Sequence, residues 1–136
     1  MKKILSIVFL LCVNYLFAQN TIDSTANDVA PIEKIYMVVE NPPEFPGGDA
    51  GLIKYLQKNI KYPEEAEKNN IQGRVYVQFV IDKEGNVRDV KIIRGAWEEL
   101  NEEALRVVSQ MPQWKPGRQN GRRVSVMFNL PINFSL

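Results

Sequence analysis

The side chains that most often carry enzyme chemistry are scarce in this chain of 136 residues. It contains no histidine, which excludes histidine-based acid–base catalysis, histidine-assisted nucleophiles and the usual zinc sites. Its single cysteine, Cys12, lies in the apolar N-terminal segment. The remaining candidates are clustered carboxylates, which act as general acid and base only when a cleft shifts their pKa values.

The densest acidic cluster belongs to a predicted helix that ends near Gln110. Its acids are on the outer face and toward the helix N-terminus, where the helix dipole favours negative charge. They therefore predict a solvated face rather than an acid–base pair. The chain also has no phosphate loop, dinucleotide motif or nucleophile elbow. We predict no enzyme activity, no catalytic residue, no metal site and no cofactor. The acids are Glu98, Glu99, Glu102 and Glu103, and the apolar face is Trp97, Leu100, Ala104, Val107, Val108 and Met111.

A helix, a turn and a strand between Tyr62 and Asp82 form the centre of the predicted fold. Tyr62-Pro63 begins the helix, because proline is suited to a first helical position. Gly73 precedes a strand whose apolar residues occur at every second position, the period of a half-buried strand. A polar turn follows, in which Gly85 supplies a positive φ. The apolar residues of the strand are Val75, Val77, Phe79 and Ile81.

The last segment has the clearest alternation in the chain and predicts one long strand with one buried face. Within it, Pro131 cannot donate a ladder hydrogen bond, so this strand is expected at a sheet edge along its C-terminal half. An open edge is either blunted or used by a partner that adds a strand. The buried face comprises Val124, Val126, Phe128, Leu130, Ile132 and Phe134.

The other elements are weaker predictions. Residues 35–40 have strand character, and Asp49 is an expected N-cap for a helix to about Asn59. Residues 85–95 form a strand without clean alternation, so either a bulge switches faces or both faces are partly covered. Phe45 and Trp114 each lie between prolines; each is interpreted as a packing residue rather than part of a docking loop or ligand platform. The stripe of the first helix is Leu52, Ile53, Leu56 and Ile60.

The N-terminus has the pattern of a secretory signal peptide over residues 1–18, with a cut after Ala18. An uncleaved inner-membrane anchor is the alternative. Residues 19–34 are predicted to be a flexible leader, and residues 35–136 a single domain. The formal net charge of +1 gives no electrostatic footprint for nucleic acid. A cleaved chain has no cysteine and therefore no disulfide.

Residues 35–136 resemble the C-terminal domain of TonB, the energy-transducing protein of Gram-negative envelopes. The segment from Pro43 to Gly48 is similar to an extension of Bacteroidetes-type members. The motifs that carry the resemblance are Tyr62-Pro63, Ala66, Ile71, Gly73, Val75, Val77, Phe79, the turn from Asp82 to Gly85, Val87, Ala104-Leu105, the run from Pro112 to Gly117, Gly121, Val124 and the closing run from Pro131 to Phe134.

The resemblance implies an α+β fold: a three-stranded antiparallel sheet with helices packed on one face. It also implies a periplasmic module that recognises TonB-dependent outer-membrane transporters, linked to energy-coupled nutrient uptake. In that family a short transporter segment, the TonB box, adds as a strand beside the last strand. The implied partner-binding residues are Asn59, Lys61, Tyr62, Arg122, Arg123, Val124, Ser125, Val126, Met127, Phe128 and Asn129.

The N-terminal organisation differs from that of a full transducer, which has an anchor and a long proline-rich spacer. The polar leader here spans at most about 50 Å when extended. A cleaved chain then needs another tether to transmit force, whereas an anchored chain would have inner-membrane motor proteins as partners. The alternative function is therefore an envelope interaction or adaptor domain without energy transduction. Its partners would be peptidoglycan, another periplasmic protein or a second copy in a homodimer.

Overall fold

The computed structural model of the chain describes residues 32–136. The predicted signal peptide and the leader up to residue 31 lie outside the described residues. The elements follow in the order β1 (Ile35–Tyr36), α1 (Gly48–Asn59), α2 (Glu64–Lys68), β2 (Gly73–Ile81), β3 (Val87–Arg94), α3 (Glu98–Ser109), β4 (Gly117–Gln119) and β5 (Arg122–Phe134).

The sheet is built around β2, which pairs antiparallel with β3 on one side and with β5 on the other. The β2–β5 register is constant from Gly73 opposite Phe134 to Ile81 opposite Val126. Two short strands are added to this core. β1 pairs in parallel with β5, which gives the order β1-β5-β2-β3, and β4 pairs antiparallel with the start of β5. The predicted three-stranded antiparallel sheet is confirmed, with these additions.

One face of the sheet carries the core. The alternating residues predicted for β2 are fully buried, and they meet the alternating residues of β5. All three helices contribute to the same core, which confirms the α+β prediction with helices on one face. The sheet supplies Val75, Val77, Phe79, Ile81, Leu130, Ile132 and Phe134, and the helices supply Leu52, Ala66, Leu100, Ala104, Val107 and Val108.

The turn between β2 and β3 also anchors the segment after α3. The Asp82 carboxylate accepts hydrogen bonds from two turn amides, and Gly85 has a φ of 87°. The carbonyl of Gly85 accepts a hydrogen bond from the Trp114 amide at 2.8 Å, and a Cβ at Gly85 would lie 1.9 Å from the Trp114 carbonyl oxygen. Trp114 is buried edge-on against Phe45, which confirms the packing interpretation for both rings.

Two local predictions near the start of the domain were wrong. The strand predicted for residues 35–40 is limited to β1, because the chain then bends away and Asn41 exchanges two backbone hydrogen bonds with Arg118. Asp49 is not the N-cap of α1. The helix begins at Gly48, and its cap position is Gly47, two residues before Asp49, where the φ of 85° favours glycine.

Trp97 and Glu103 are exposed and buried, respectively, which is the opposite of what the sequence predicts for them. Trp97, expected on the buried face, precedes the helix in an extended conformation and is 56% exposed. Glu103, expected on the solvated face, is 8% exposed. The other predicted core positions from Leu100 to Val108 are buried as expected.

Two bulges explain why the apolar residues of β3 do not alternate regularly. Its pairing with β2 shifts register twice, first between Gln78 and Val80 and again between Tyr76 and Val77. Asp89 lies at the first shift with a φ of 53°. Each shift inserts one extra residue in β3, so the side chains change faces along the strand. Of the two alternatives given by the sequence, the bulge is the correct one.

Candidate peptide-binding edge

The outer edge of β5 is open over its C-terminal half. Val126 pairs with Ile81 of β2 on one side and with Tyr36 of β1 on the other, so β1 and β2 flank opposite edges. β1 ends there. Among residues 32–136, no strand pairs with the outer edge of β5 beyond Val126. The edge from Met127 to Asn133 is about 20 Å of unpaired backbone.

Pro131 shows which backbone groups point outward. The β2–β5 ladder passes through Pro131, opposite Tyr76, without a register shift. Because proline has no N–H, an intact ladder places its nitrogen toward the outer edge, and every second residue shares that orientation. Met127, Asn129 and Asn133 therefore direct both N–H and C=O outward, whereas Pro131 directs only a carbonyl. This edge can exchange main-chain hydrogen bonds with any extended peptide.

The start of β5 is occupied by other segments of the chain. Residues 122–124 pair with β4 in a hairpin, and residues 125–126 pair with β1. The predicted partner-binding residues on β5 thus divide into two groups. The paired group is Arg122, Arg123, Val124, Ser125 and Val126, and the group on the open part is Met127, Phe128 and Asn129.

The predicted partner-binding residues before α2 lie at the far end of the same strand. The Tyr62 ring packs edge-on against Phe134 at 6.0 Å between centroids, and its hydroxyl donates to the carbonyl of Ile71. The side-chain amide of Asn59 donates to the Tyr55 carbonyl at 2.8 Å. The structure therefore brings the segment from Asn59 to Tyr62 to the end of the open edge, whereas residues 122–124 belong to the other end of β5.

A partly buried ion pair fixes that segment to α3. The Glu103 carboxylate accepts a hydrogen bond from the Lys61 amide at 2.7 Å and pairs with the Arg106 guanidinium. Arg106 in turn donates to the Asn59 carbonyl at 2.8 Å. Residues 59 and 61 are thus held by one carboxylate–guanidinium unit through their backbone groups, which leaves the Lys61 side chain exposed.

The electrostatics of this pair follow from its contacts. Burial opposes ionisation of Glu103, but the hydrogen bonds from Arg106 and Lys61 outweigh it and hold the pKa of the carboxyl below its ordinary value. The hydrogen bond to Glu103 raises the pKa of Arg106. Burial raises the pKa of Tyr55, whose hydroxyl donates to the Val107 carbonyl. The hydrogen bonds between Glu103, Arg106 and the Lys61 amide therefore favour the ionised pair, which has a structural role.

Glu103 is a positioning residue that was not predicted, although its spacing in the sequence carries a signal. Glu103 lies three residues after Leu100 and four before Val107, both of which are buried. That spacing places all three on one helical face. The acidic neighbours of Glu103 favoured a solvated face and masked its position on the buried face.

Within residues 32–136, no group of three or more histidine, cysteine, aspartate or glutamate side chains is close enough to hold a metal ion. No helix within residues 32–136 is long and apolar enough to span a membrane.

Comparisons with known proteins identify the family. The family described as Gram-negative bacterial TonB protein C-terminal matches residues 58–136, more than half of the chain. Two solution structures of the Helicobacter pylori TonB C-terminal domain are similar to it. One is 26% identical, with 62% of this chain and 77% of that chain covered at a TM-score of 0.48. The other is 24% identical, with 63% and 90% covered at the same TM-score. No curated protein matches. The open-edged domain is thus a TonB-like module, and the chain belongs to the TonB C-terminal domain family.

Proposed function

We propose that this chain is a periplasmic binding module that recognises TonB-dependent outer-membrane transporters by edge-strand pairing, linked to energy-coupled nutrient uptake. The observation that carries the proposal is the open edge of β5 from Met127 to Asn133. An extended transporter segment adds there as a strand. Its main chain supplies affinity, and its alternate side chains supply selectivity. Membership of the TonB C-terminal family supports outer-membrane receptors as the partner class.

β1 supports this mode of binding from within the chain. Ile35 and Tyr36 form a short parallel strand on the same edge, at residues 125 and 126 of β5. They are a precedent within the chain for a parallel strand on this edge. A partner segment that begins beside Met127 would lie in line with β1 along the outer edge of β5. The proposed site is therefore shifted toward the C-terminal end of β5, compared with the edge from Arg122 to Pro131 that the resemblance implies.

The exposed cations at the two ends of β5 extend the proposed site. Lys61 has an exposed side chain and a backbone amide held by Glu103, beside Tyr62 at the end of the open edge. Arg122 and Arg123 are exposed at the other end. We propose that these residues contact the chain on either side of the paired transporter segment.

The second candidate function is an envelope adaptor without energy transduction. The observation that favours it is also the open edge, since an unpaired strand pairs as readily with a second copy or another periplasmic protein. Determination of the mature N-terminus and of membrane partition in the native envelope separates the roles. A soluble chain beginning at residue 19 supports the adaptor, and an intact N-terminus in the inner membrane supports the transducer.

Titration calorimetry tests the binding proposal. The full chain is titrated with synthetic peptides that cover the periplasmic N-terminal segments of transporters from the same cell. Asn129→Pro removes one outward N–H without touching the β2 ladder, and we expect it to weaken binding by about tenfold. Asn129→Ala keeps the N–H and is the matched control, with affinity unchanged. The receptor-binding proposal fails if no transporter segment binds, or if both variants bind as tightly as the original chain.

A further inference from the structure

An apolar groove runs beside the open edge of β5. It has a volume of about 270 Å³ and lies between α1 and the C-terminal half of the strand. Successive side chains of a strand point to opposite faces, so a groove that touches three consecutive residues follows the strand edge itself. Its lining consists of Ile53, Leu56, Gln57 and Ile60 from the helix side and Pro131, Ile132 and Asn133 from β5.

The apolar lining is incompletely covered by the chain itself. Leu52 is buried in the core and holds α1 against the sheet. Its neighbour Ile53 is 57% exposed, although the sequence places it on the same apolar stripe. Leu56 and Ile60 are half-buried against the core. Leu52 fixes α1 to the core, whereas Ile53 faces the groove. Apolar surface of the helix therefore remains uncovered there.

The neighbouring edge determines what that molecule must be. A strand added beside Met127 to Asn133 lies about 4.8 Å from β5, with alternate side chains on the two faces of the sheet. Those on the helix side enter the groove between β5 and α1. Burial there favours apolar side chains, because most of the lining is aliphatic and only Gln57 and Asn133 carry polar side chains. The groove is small for a drug-sized ligand, whose sites occupy about 300–1,000 Å³, and it suits one or two aliphatic side chains.

We propose that the groove between α1 and β5 is a selectivity pocket for an extended partner peptide with apolar side chains at alternate positions. The proposal rests on the proposed strand addition at β5 and adds the chemistry of the segment that is selected. α1 covers residues 48–59, almost entirely before the family-matched region of 58–136. Ile53 and Leu56 of the helix wall therefore precede the family-matched region, whereas Ile60 and the β5 residues lie within it.

Fluorescence anisotropy with defined peptides provides the test. The probes are labelled nine-residue peptides, and the full chain is titrated into each. The first alternates valine with threonine. The second has the same composition with all valines in one block, and the third carries aspartate in place of valine. We expect the alternating valine peptide to bind at least tenfold more tightly than either of the others, since each buried methylene contributes a factor of about four.

Substitutions at the groove test whether the preference for the alternating valine peptide depends on it. Ile53→Ser is expected to weaken binding of the alternating valine peptide by about tenfold, and Ile53→Leu to preserve it. Ile93→Ser is the matched control, because Ile93 is 46% exposed on β3 at the opposite side of the sheet. We expect it to leave the affinity unchanged. Circular dichroism and thermal unfolding verify that each variant is folded.

The outcomes distinguish the proposed selectivity pocket from strand addition at the β5 edge. If Asn129→Pro weakens binding but Ile53→Ser does not, strand addition stands and the pocket is refuted. Equal affinity for the valine and aspartate peptides also refutes it. Failure of all three peptides refutes the pocket, while the transporter-segment titration tests the edge independently. A dimer that dissociates on Ile53→Ser, without peptide binding, assigns the groove to a second copy and overturns the proposal.

Discussion

The two long edges of the sheet differ in how they are protected. β5 keeps one register with β2 throughout their pairing, and its outer edge from Met127 onward borders an apolar groove. β3 shifts register twice against β2, contains Asp89 at a φ of 53°, and carries the cations Arg88, Lys91 and Arg94. Bulges and charges are devices that prevent strand pairing. The difference supports the proposal that a partner strand adds to the β5 edge rather than to the β3 edge.

The largest expected effect comes from the strand that the two edges share. Phe79 is fully buried on β2 and packs against Trp114 and Phe128. Phe79→Ala should lower the free energy of unfolding by about 4 kcal/mol, because it leaves a cavity under both edges. Urea unfolding measures the change. Arg74→Ala, at an exposed position of the same strand, is the control and should stay within about 0.5 kcal/mol. A loss from Phe79→Ala no greater than that of the control would contradict the assigned core.

Glu103 is expected to affect the β5 edge and not the β3 edge, because its ion pair holds the segment from Asn59 to Lys61 beside the end of β5. Glu103→Gln removes the charge that holds Arg106 and weakens the acceptor of the Lys61 amide. We expect a loss of about 1–2 kcal/mol in unfolding free energy near pH 7. Urea unfolding of the original chain and of Glu103→Gln measures the loss, because urea is uncharged and does not screen the ion pair. Glu102→Gln, one residue earlier and exposed, is the control and should be close to neutral.

The pH dependence of that loss is a separate check. The folded pKa of Glu103 lies below its ordinary value, so the ionised carboxylate stabilises the folded state. Its contribution is complete above the unfolded pKa of glutamate, about 4.3, and disappears as the pH falls through the lower folded value. The difference between the original chain and Glu103→Gln should therefore shrink below about pH 4. A difference that stays constant from pH 7 to pH 3 would show that the charge contributes nothing.

Pro131 limits how well the open edge pairs, and its replacement sharpens the contrast with β3. Pro131→Thr adds an outward N–H to the edge, so strand addition gains one hydrogen bond. We expect peptide affinity or self-association to rise about fivefold. Sedimentation and calorimetry distinguish the two results. Arg74→Thr introduces the same side chain at an exposed position of the central strand, without a new edge donor, and should change neither. No difference between the variants would mean that the backbone at residue 131 does not face the partner.

Much of this edge was accessible from the sequence, because it depends on local patterns. The alternation from Val124 to Phe134 predicted the buried face of β5, and Pro131 predicted an edge. The positive φ of Gly85 followed from its place in a polar turn. These features are set by residues close in sequence, where strand period and backbone sterics decide the result.

The rest depends on contacts between distant residues. β1 stops after Tyr36 because Asn41 pairs with Arg118, a contact that the strand propensity of residues 35–40 does not contain. Glu103 is buried because the Lys61 amide and Arg106 satisfy its charge. The groove beside Ile53 exists only once α1 lies against β5. Periodicity identifies an apolar face, but tertiary packing determines which of its residues remain exposed.

The smallest expected effect concerns the blunted edge. Asp89→Gly keeps the positive φ of the bulge without a Cβ and loses only an exposed ion pair with Arg88, at 2.7 Å. These changes nearly offset each other, so the free energy of unfolding should move by less than about 0.5 kcal/mol. Peptide affinity at β5 should be unchanged in the anisotropy assay. Asp89→Val is the comparison variant, because a β-branched residue resists this φ and should destabilise the fold by about 1 kcal/mol or more. An altered peptide affinity in Asp89→Gly would show that the two edges are coupled through β2, and their protection could then no longer be treated as independent.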